Sequence, residues 1–225
     1  MKSKIKILIA VLAVCAAAFG GVWLFTSEGM GIDNSGHIVF TQKTESAELT
    51  LVNDDNHVPD NWDVELTTLS NGEQVASMIY PDLQEMFDDM RADGIYPFVR
   101  AGYRSDDEQK RVLNEKTAAY MAEGYSKSRA KELALETVAL PGTSEHELGL
   151  AVDINAVEGK SESEEVYSWL AENAYKYGFI MRYPENKTDI TGKDYEPWHY
   201  RYVGKTAAKE IYESGECLEE YLGEN

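Results

Sequence analysis

The stretch "SEHELGLAVDI", residues 144–154, decides the fold because it leads through a turn into a short apolar run typical of a buried strand. It places His146 seven residues before Asp153, with Gly149 between them. Side chains alternate across a strand, so Asp153 points away from the core that its apolar neighbours enter. Glycine at position 149 lets the chain turn closely between the histidine and the strand. The stretch is therefore either a structural connection that contains a histidine or two ligands of a metal site.

A second stretch, "YEPWHYRYVG" at residues 195–204, supplies groups of the same chemistry. Its His199 joins His146 and Asp153 as nitrogen and oxygen donors of the kind that Zn²⁺ binds in catalytic sites, where a fourth position stays open. Glu196 is the carboxylate that this ligand set leaves uncommitted. A lone histidine on a half-apolar segment is more typical of a structural residue, so the metal hypothesis depends on both stretches together.

Glu196 and His199 are three residues apart, which in an extended strand puts their side chains on opposite faces. Pro197 fixes its own φ and pushes Glu196 towards an extended conformation. We therefore expect a bend at this proline that brings both side chains to one metal.

Apolar periodicity and capping patterns predict helices and strands interspersed along the rest of the chain. Predicted helices cover residues 80–94, 106–123, 127–139, 161–178 and 205–214, and predicted strands cover 95–101, 150–155, 179–183 and 198–203. Ser105 and Glu108 match a capping box at the start of the second helix. Because the late strands are short and compatible with hairpins, the predicted class is α+β: a single compact domain with a small, mostly antiparallel sheet flanked by helices.

Length and charge narrow the functional classes. The chain has 225 residues, which suits one well-buried domain, predicted over 49–225. Its formal net charge of −19 argues against a nucleic-acid partner, since such a partner requires a basic face. Cys15 and Cys217 cannot form a disulfide framework, so stability has to come from a core. The sequence carries no signal for an oligomeric state.

The N-terminal 26 residues predict a membrane anchor or signal segment. Three lysines precede an uncharged apolar run, Ile7–Phe25, whose length as a helix is about 28 Å, close to the thickness of the bilayer core. We expect an uncleaved single-pass anchor with the domain outside the cell membrane. An alternative is lipidation at Cys15, within "LAVC". Residues 27–48 are predicted to be a polar linker.

The two stretches together resemble a known family. The pattern Ser-x-His-x-x-Gly-x-Ala-x-Asp over 144–153, followed by Glu-x-x-His over 196–199, resembles the VanY/LdcB-type zinc carboxypeptidases of bacterial cell walls. "GYRSDDEQ" at 102–109 and "GFIMRYPENKTDITGKDYEPWHYRYVG" at 178–204 are similar to the remaining signatures of that family. The resemblance covers about residues 49–204.

The resemblance implies a role for each matching residue. Zinc is expected to be held by His146, Asp153 and His199, with Glu196 as the catalytic base. The residues expected in the substrate pocket are Arg104, Gln109, Ser144 and Tyr183. Arg104 is also expected to act in catalysis by stabilising the oxyanion, or else to bind the terminal carboxylate of the substrate, and the sequence does not separate these roles.

The resemblance and the predicted exterior location imply a peptidoglycan stem peptide as substrate, with its terminal D-alanine removed. We expect a D,D-carboxypeptidase acting on peptides that end in D-Ala-D-Ala. The alternatives are an L,D-carboxypeptidase acting on stem tetrapeptides and a catalytically silent wall-binding module.

Overall fold

The computed structural model describes residues 30–32, 38–40 and 46–224. The chain divides into two units, residues 1–44 and 45–225. In the first unit, β1 (Met30–Ile32) pairs antiparallel with β2 (Ile38–Phe40). The linker prediction for 27–48 did not include these strands. The anchor predicted for 1–26 lies outside the described residues, and no helix within them is long and apolar enough to cross a membrane.

The second unit contains helices and strands interspersed along the chain. Its strands are β3 (Leu66–Thr68), β4 (Gln74–Ala76), β5 (Pro97–Ala101), β6 (Ala151–Ala156), β7 (Phe179–Met181) and β8 (His199–Tyr202). Its helices are α1 (Tyr80–Ala92), α2 (Asp106–Ala122), α3 (Lys127–Leu135), α4 (Ser163–Asn173), α5 (Thr188–Thr191), α6 (Lys205–Ser214) and α7 (Leu218–Leu222). Short 3₁₀ helices cover Ala47–Leu49, Glu145–Leu148, Ala174–Tyr177 and Glu185–Lys187.

Four strands form the central sheet in the order β5-β6-β8-β7, with every neighbouring pair antiparallel. The prediction of an α+β domain with a small antiparallel sheet is confirmed. A separate hairpin, β3-β4, was not predicted because its strands have only three residues each. In the central sheet, Asp153 of β6 lies directly opposite His199 of β8. This register places two predicted metal ligands on one face.

Helix boundaries follow the capping signals more closely than the apolar periodicity. The capping box of Ser105 and Glu108 is confirmed at the start of α2. The first two predicted helices end one or two residues early, at Ala92 and Ala122. The next two end earlier still: α3 stops at Leu135 rather than 139, and α4 stops at Asn173, where a 3₁₀ turn continues the segment. Beyond α3, the carbonyl of Glu136 accepts a hydrogen bond from the backbone N–H of Asp194 at 3.0 Å. This tertiary contact draws the segment out of the helix and towards the cavity described below.

The core lies on the face of the sheet opposite the predicted ligands. Val152 and Ile154 of β6 are fully buried there, as the alternation predicted. The helices α1 and α4 cover this face through the buried side chains Leu83, Met86, Phe87, Met90, Val166 and Leu170. The other face of β6 and β8 is thereby left for polar side chains.

Candidate active site

The sheet register and one turn assemble the first half of the site. His199 Nδ1 lies 3.0 Å from Asp153 Oδ1 across the β6-β8 pair. The backbone N–H of His199 donates to the carbonyl of Glu196 at 3.1 Å, which closes a turn around Pro197. This turn places Glu196 Oε2 at 3.8 Å from His199 Nδ1. The predicted bend is confirmed.

His146 reaches the same point from the 3₁₀ helix that precedes β6. That helix ends at Gly149, whose φ of +73° is in the left-handed region that favours glycine. A Cβ at this position would lie 3.2 Å from the backbone nitrogen of Ala76, so the chain passes close to β4 here. As a result His146 Nε2 lies 3.4 Å from Asp153 Oδ1. The donor atoms of His146, Asp153 and His199 all fall within 4.8 Å of one another.

Hydrogen bonds on the far side of each ring orient the two histidines. His146 Nδ1 donates to the carbonyl of Gly102 at 2.7 Å, because a carbonyl oxygen only accepts. His199 Nε2 lies 3.5 Å from Glu145 Oε2, at the limit of a hydrogen bond. The remaining nitrogens, Nε2 of His146 and Nδ1 of His199, face the Asp153 carboxylate. Metal-binding histidines are held in this way by an acceptor on the other ring nitrogen.

The three facing donor atoms favour a cation among them. Donors at zinc–ligand distances of about 2.0–2.2 Å in a tetrahedral arrangement lie roughly 3.3 Å apart, close to the 3.0 and 3.4 Å found here. Burial disfavours a charged His199, yet its hydrogen bonds with Asp153 and Glu145 raise its pKa to about 9. Burial also opposes the charge of Asp153, but His146 and His199 hold the pKa of this carboxyl well below its usual range. The residues therefore fit a zinc ion.

Glu196 differs from these ligands in its environment. Burial raises the pKa of this carboxyl to about 7, and the nearby charges do not reverse the shift. Its backbone N–H donates to the carbonyl of Tyr183 at 3.1 Å, which fixes the position of the residue. A carboxyl with a pKa near 7 both accepts and returns a proton readily at neutral pH.

The predicted substrate residues surround the same point. Arg104 Nη2 lies 3.2 Å from Asp153 Oδ2, and Nη1 lies 3.4 Å from Gln109 Oε1. Gln109 is buried, and its side-chain Nε2–H donates to the carbonyl of Ala139 at 2.9 Å. The ring of Tyr183 lies 4.9 Å from that of His199, and burial raises the pKa of its hydroxyl well above the usual range.

One cavity of about 340 Å³ brings the predicted site residues together. Its walls include Arg104, Gln109, Ser144, His146, Asp153, Tyr183, Glu196 and His199. Ser144 is buried at the start of the 3₁₀ helix that carries His146. The predicted site residues thus line one cavity, and their individual roles stay predictions.

Four buried charged residues behind the site were not predicted. We call Glu145, Arg182, Arg201 and Glu219 the buried ion network. Glu145 Oε1 accepts from Arg182 Nε at 2.7 Å and from Arg201 Nη1 at 2.9 Å. Glu219 accepts from both terminal nitrogens of Arg182, at 2.6 and 2.8 Å. Two positive and two negative charges balance formally, and Glu145 connects the network to His199.

The network has one weak signal in the sequence. Arg182 and Arg201 each follow or lie within an apolar and aromatic strand, "FIMRY" and "WHYRYV", where an unpaired charge is costly. Their partners lie far away along the chain, so the pairing itself was not visible. Burial alone would raise the pKa of Glu145, but the two guanidinium groups outweigh it and hold that pKa well below its usual range.

A cavity that favours a cation among three protein donors, with a separate carboxyl titrating near neutral pH, has the properties that a metallohydrolase requires. The donors lie on a small antiparallel sheet and on the 3₁₀ turn that precedes one of its strands. This arrangement narrows the class of metallohydrolase further.

The chain belongs to the VanY family of D-alanyl-D-alanine carboxypeptidases, whose sequence model matches residues 72–205. A D-alanyl-D-alanine carboxypeptidase of Enterococcus faecalis (strain ATCC 700802 / V583) is 57% identical over 174 residues, which are 77% of this chain and 65% of that protein. The chain thus spans slightly less than two thirds of the length of this relative.

Two solved structures are similar over most of the chain. One is a mutant of the vancomycin-resistance D,D-pentapeptidase VanY from a VanB-type cassette, in complex with Zn(II). It is 56% identical with a TM-score of 0.77 and covers 79% of this chain and 99% of its own. The other is the LD-carboxypeptidase LdcB, 36% identical with a TM-score of 0.61 over 77% of this chain and 85% of its own. The predicted resemblance to the VanY/LdcB-type enzymes is confirmed.

Proposed function

We propose that this protein is a zinc-dependent carboxypeptidase that removes the terminal D-alanine from peptidoglycan stem peptides ending in D-Ala-D-Ala. The observation that carries the proposal is the buried Glu196 carboxyl, 3.8 Å from His199, beside three donors that fit zinc. The family and the 57% identical relative supply the substrate class.

The ligands of the zinc ion would be His146 Nε2, Asp153 and His199 Nδ1. When bound, zinc supplies a Lewis acid that polarises the scissile carbonyl and makes water more acidic. Glu196 takes the proton of the attacking water and passes it to the departing amine, because its carboxyl lies beside the three donors without belonging to the predicted ligand set. The ionised Asp153 and the two oriented histidines stay fixed during this cycle.

Arg104 supplies the second positive charge. Its contact with Asp153 Oδ2 at 3.2 Å places the guanidinium directly beside a metal ligand, where negative charge develops on the carbonyl oxygen. This position favours the oxyanion role over recognition of the terminal carboxylate. Tyr183 keeps its proton at neutral pH and is therefore available as a hydrogen-bond donor to the peptide.

A second function, L,D-carboxypeptidase activity on stem tetrapeptides, is supported by the similarity to LdcB. The D,D assignment has the stronger support, because identity is 56–57% to the D,D relatives and 36% to LdcB. For localisation, the apolar run Ile7–Phe25 after three lysines supports an anchor in the cell membrane with the domain outside it.

Zinc-loaded protein incubated with synthetic stem penta- and tetrapeptides, with D-alanine followed by mass spectrometry, tests the proposal. Release from the pentapeptide, reduced about 10²–10⁴-fold in Glu196→Gln, is the expected result. Release from the tetrapeptide alone would replace the D,D assignment by the L,D one. Zinc binding without release from either peptide would overturn both and point to a silent wall-binding module.

A further inference from the structure

We infer that Arg100 and Lys116 form a subsite for a free carboxylate on the acyl side of the scissile bond, about three residues before it. The inference rests on the proposed function, because it assigns the part of the peptide substrate before the scissile bond to the wall of the cavity that Arg100 and Lys116 line. Both residues line the cavity that contains the metal ligands.

A β-bulge places Arg100 in the cavity wall. Val99 pairs with Ile154 and Ala101 pairs with Asp153, so two steps along β5 correspond to one step along β6. Arg100 is the extra residue. Bulges beside active sites re-aim a side chain that regular alternation would direct elsewhere. The bulge lies next to the metal ligand Asp153, and the side chain of Arg100 is exposed where it meets the cavity.

Helix α2 places Lys116 further along the same cavity. Gln109, Val112 and Lys116 recur at i, i+3 and i+7, which is one face of a helix, and all three line the cavity. The ammonium group lies 5.3 Å from the ring centroid of Tyr120, a contact that favours this position of the side chain. One face of α2 therefore extends along the cavity from Gln109, which contacts Arg104, to Lys116.

Arg100 and Lys116 have no ion-pair partner at short range within the part of the chain that the structure describes. Neither forms an ion pair there within 4.0 Å, whereas Arg104 pairs with Asp153 and Lys193 with Asp54. The whole chain carries a net charge of −19. Two positive side chains without an ion pair in one cavity wall are therefore a local exception to the overall negative charge. Positive groups in a cavity attract an anionic part of the substrate.

The distance along α2 from Gln109 to Lys116 indicates which carboxylate of the substrate would reach the subsite. Seven residues of helix separate Gln109 from Lys116, a rise of about 10.5 Å. An extended peptide spans roughly 3.3–3.6 Å per residue, so this rise corresponds to about three residues. The terminal carboxylate lies only one residue from the scissile bond. A carboxylate about three residues upstream matches the length of the wall better.

Binding of matched peptides tests the inference without turnover. The probes are two stem pentapeptides that differ only in the third residue before the scissile bond, which carries a free carboxylate or a carboxamide. A third probe has a carboxamide at its C-terminus. Zinc-loaded Glu196→Gln protein serves as the host, and calorimetry gives each Kd. Wild-type turnover of the first peptide is measured separately.

The upstream carboxylate is expected to tighten binding about tenfold, and Arg100→Gln with Lys116→Gln should abolish that preference. Lys110→Gln and Arg111→Gln, on the exposed side of α2, are matched controls that should retain it. In the Glu196→Gln host without the double substitution, the preference for the upstream carboxylate should also weaken as the salt concentration rises. This measurement does not depend on the folding of the double variant.

Equal binding of the two upstream probes would overturn the inference, as would an unchanged preference in the double variant. If the double variant instead loses its response to the C-terminal carboxamide, the subsite binds the terminal carboxylate and the upstream assignment is wrong. Absence of wild-type turnover, with the binding preference present and lost in the double variant, would refute the proposed function and leave this inference standing.

Discussion

Two carboxyl groups flank His199 on opposite sides, and their side chains are buried to nearly the same degree, 0% exposed for Glu145 and 6% for Glu196. Their pKa values nevertheless shift in opposite directions. Glu196 faces the cavity and has a pKa raised to about 7, whereas Glu145 lies in the buried ion network with a pKa well below its usual range. Burial disfavours the charged form of both.

The groups beside each carboxyl account for the opposite directions of the two pKa shifts. Glu145 has two guanidinium groups at 2.7 and 2.9 Å, whereas the nearest basic side chain to Glu196 among the described residues is the ring of His199 at 3.8 Å. A base has to exchange a proton near neutral pH, and a group that positions a ligand has to stay ionised. Under the proposed function these two tasks fall to two buried glutamates, of which one is paired and the other is almost unpaired.

Removing the cavity-side carboxylate should have the largest effect on turnover. Glu196→Gln keeps the shape of the side chain but removes the proton acceptor, so kcat for D-alanine release should fall about 10²–10⁴-fold. Zinc content, measured by atomic absorption, should stay equal to that of the wild type because Glu196 is not a ligand. A decrease of less than tenfold would assign the base to another residue.

Removing the network-side carboxylate should act on the metal and on the fold. Glu145→Gln leaves Arg182 and Arg201 under-neutralised, so the free energy of unfolding should drop by about 3–5 kcal/mol. The zinc affinity should fall about 10–100-fold because the partner of His199 Nε2 is weakened. Denaturant titration and chelator competition measure the two effects. Glu115→Gln, which breaks an exposed pair with Arg111, is the control and should change neither by much.

Glu219 tests the pH dependence of the network. Burial opposes its charge, but Arg182 lowers its pKa below the ordinary 4.5. A carboxyl whose folded-state pKa is lowered contributes stability above the unfolded pKa and loses it as pH falls through the folded value. Glu219→Gln should therefore cost about 1.5–3 kcal/mol at pH 7, and the difference from wild type should narrow below about pH 4.5. Unfolding curves at several pH values measure this, and a constant difference would contradict the pairing.

Gln109 supports Arg104 with a neutral group, and its loss should have the smallest effect of the four. Gln109→Met keeps the length of the side chain and removes both its contact of 3.4 Å to Arg104 and its hydrogen bond of 2.9 Å to the carbonyl of Ala139. Such a long neutral–cation contact is weak, so kcat/KM should fall only about two- to tenfold. Steady-state kinetics on the pentapeptide give the value, with Gln84→Met, a partly buried glutamine of α1 outside the cavity lining, as control. A loss as large as that of Glu196→Gln would mean that Arg104 depends wholly on Gln109.

The cavity side of this comparison was accessible from the sequence because its determinants are local. Alternation in β6 fixes the direction of Asp153, glycine at 149 permits the turn after His146, and Pro197 sets the bend between Glu196 and His199. Each of these signals lies within a few residues of the group that it positions. The resemblance to the zinc carboxypeptidases then joined the two stretches.

The network side was not accessible because its pairs depend on tertiary placement. Glu145 and Arg182 are separated by 37 residues, as are Arg182 and Glu219. The bulge at Arg100 was missed for a similar reason, since a register shift is a property of two strands. The early end of α3 also depends on a contact that the local sequence does not encode, the hydrogen bond from Asp194 to Glu136.

The position of Glu219 in α7 has a consequence for biosynthesis. All three predicted metal ligands and Glu196 precede this helix along the chain, so they leave the ribosome before it. Until Leu218–Leu222 is made and docked, Arg182 lacks the carboxylate that holds two of its nitrogens. A nascent chain can thus contain every group required for chemistry while His199 still lacks its complete support.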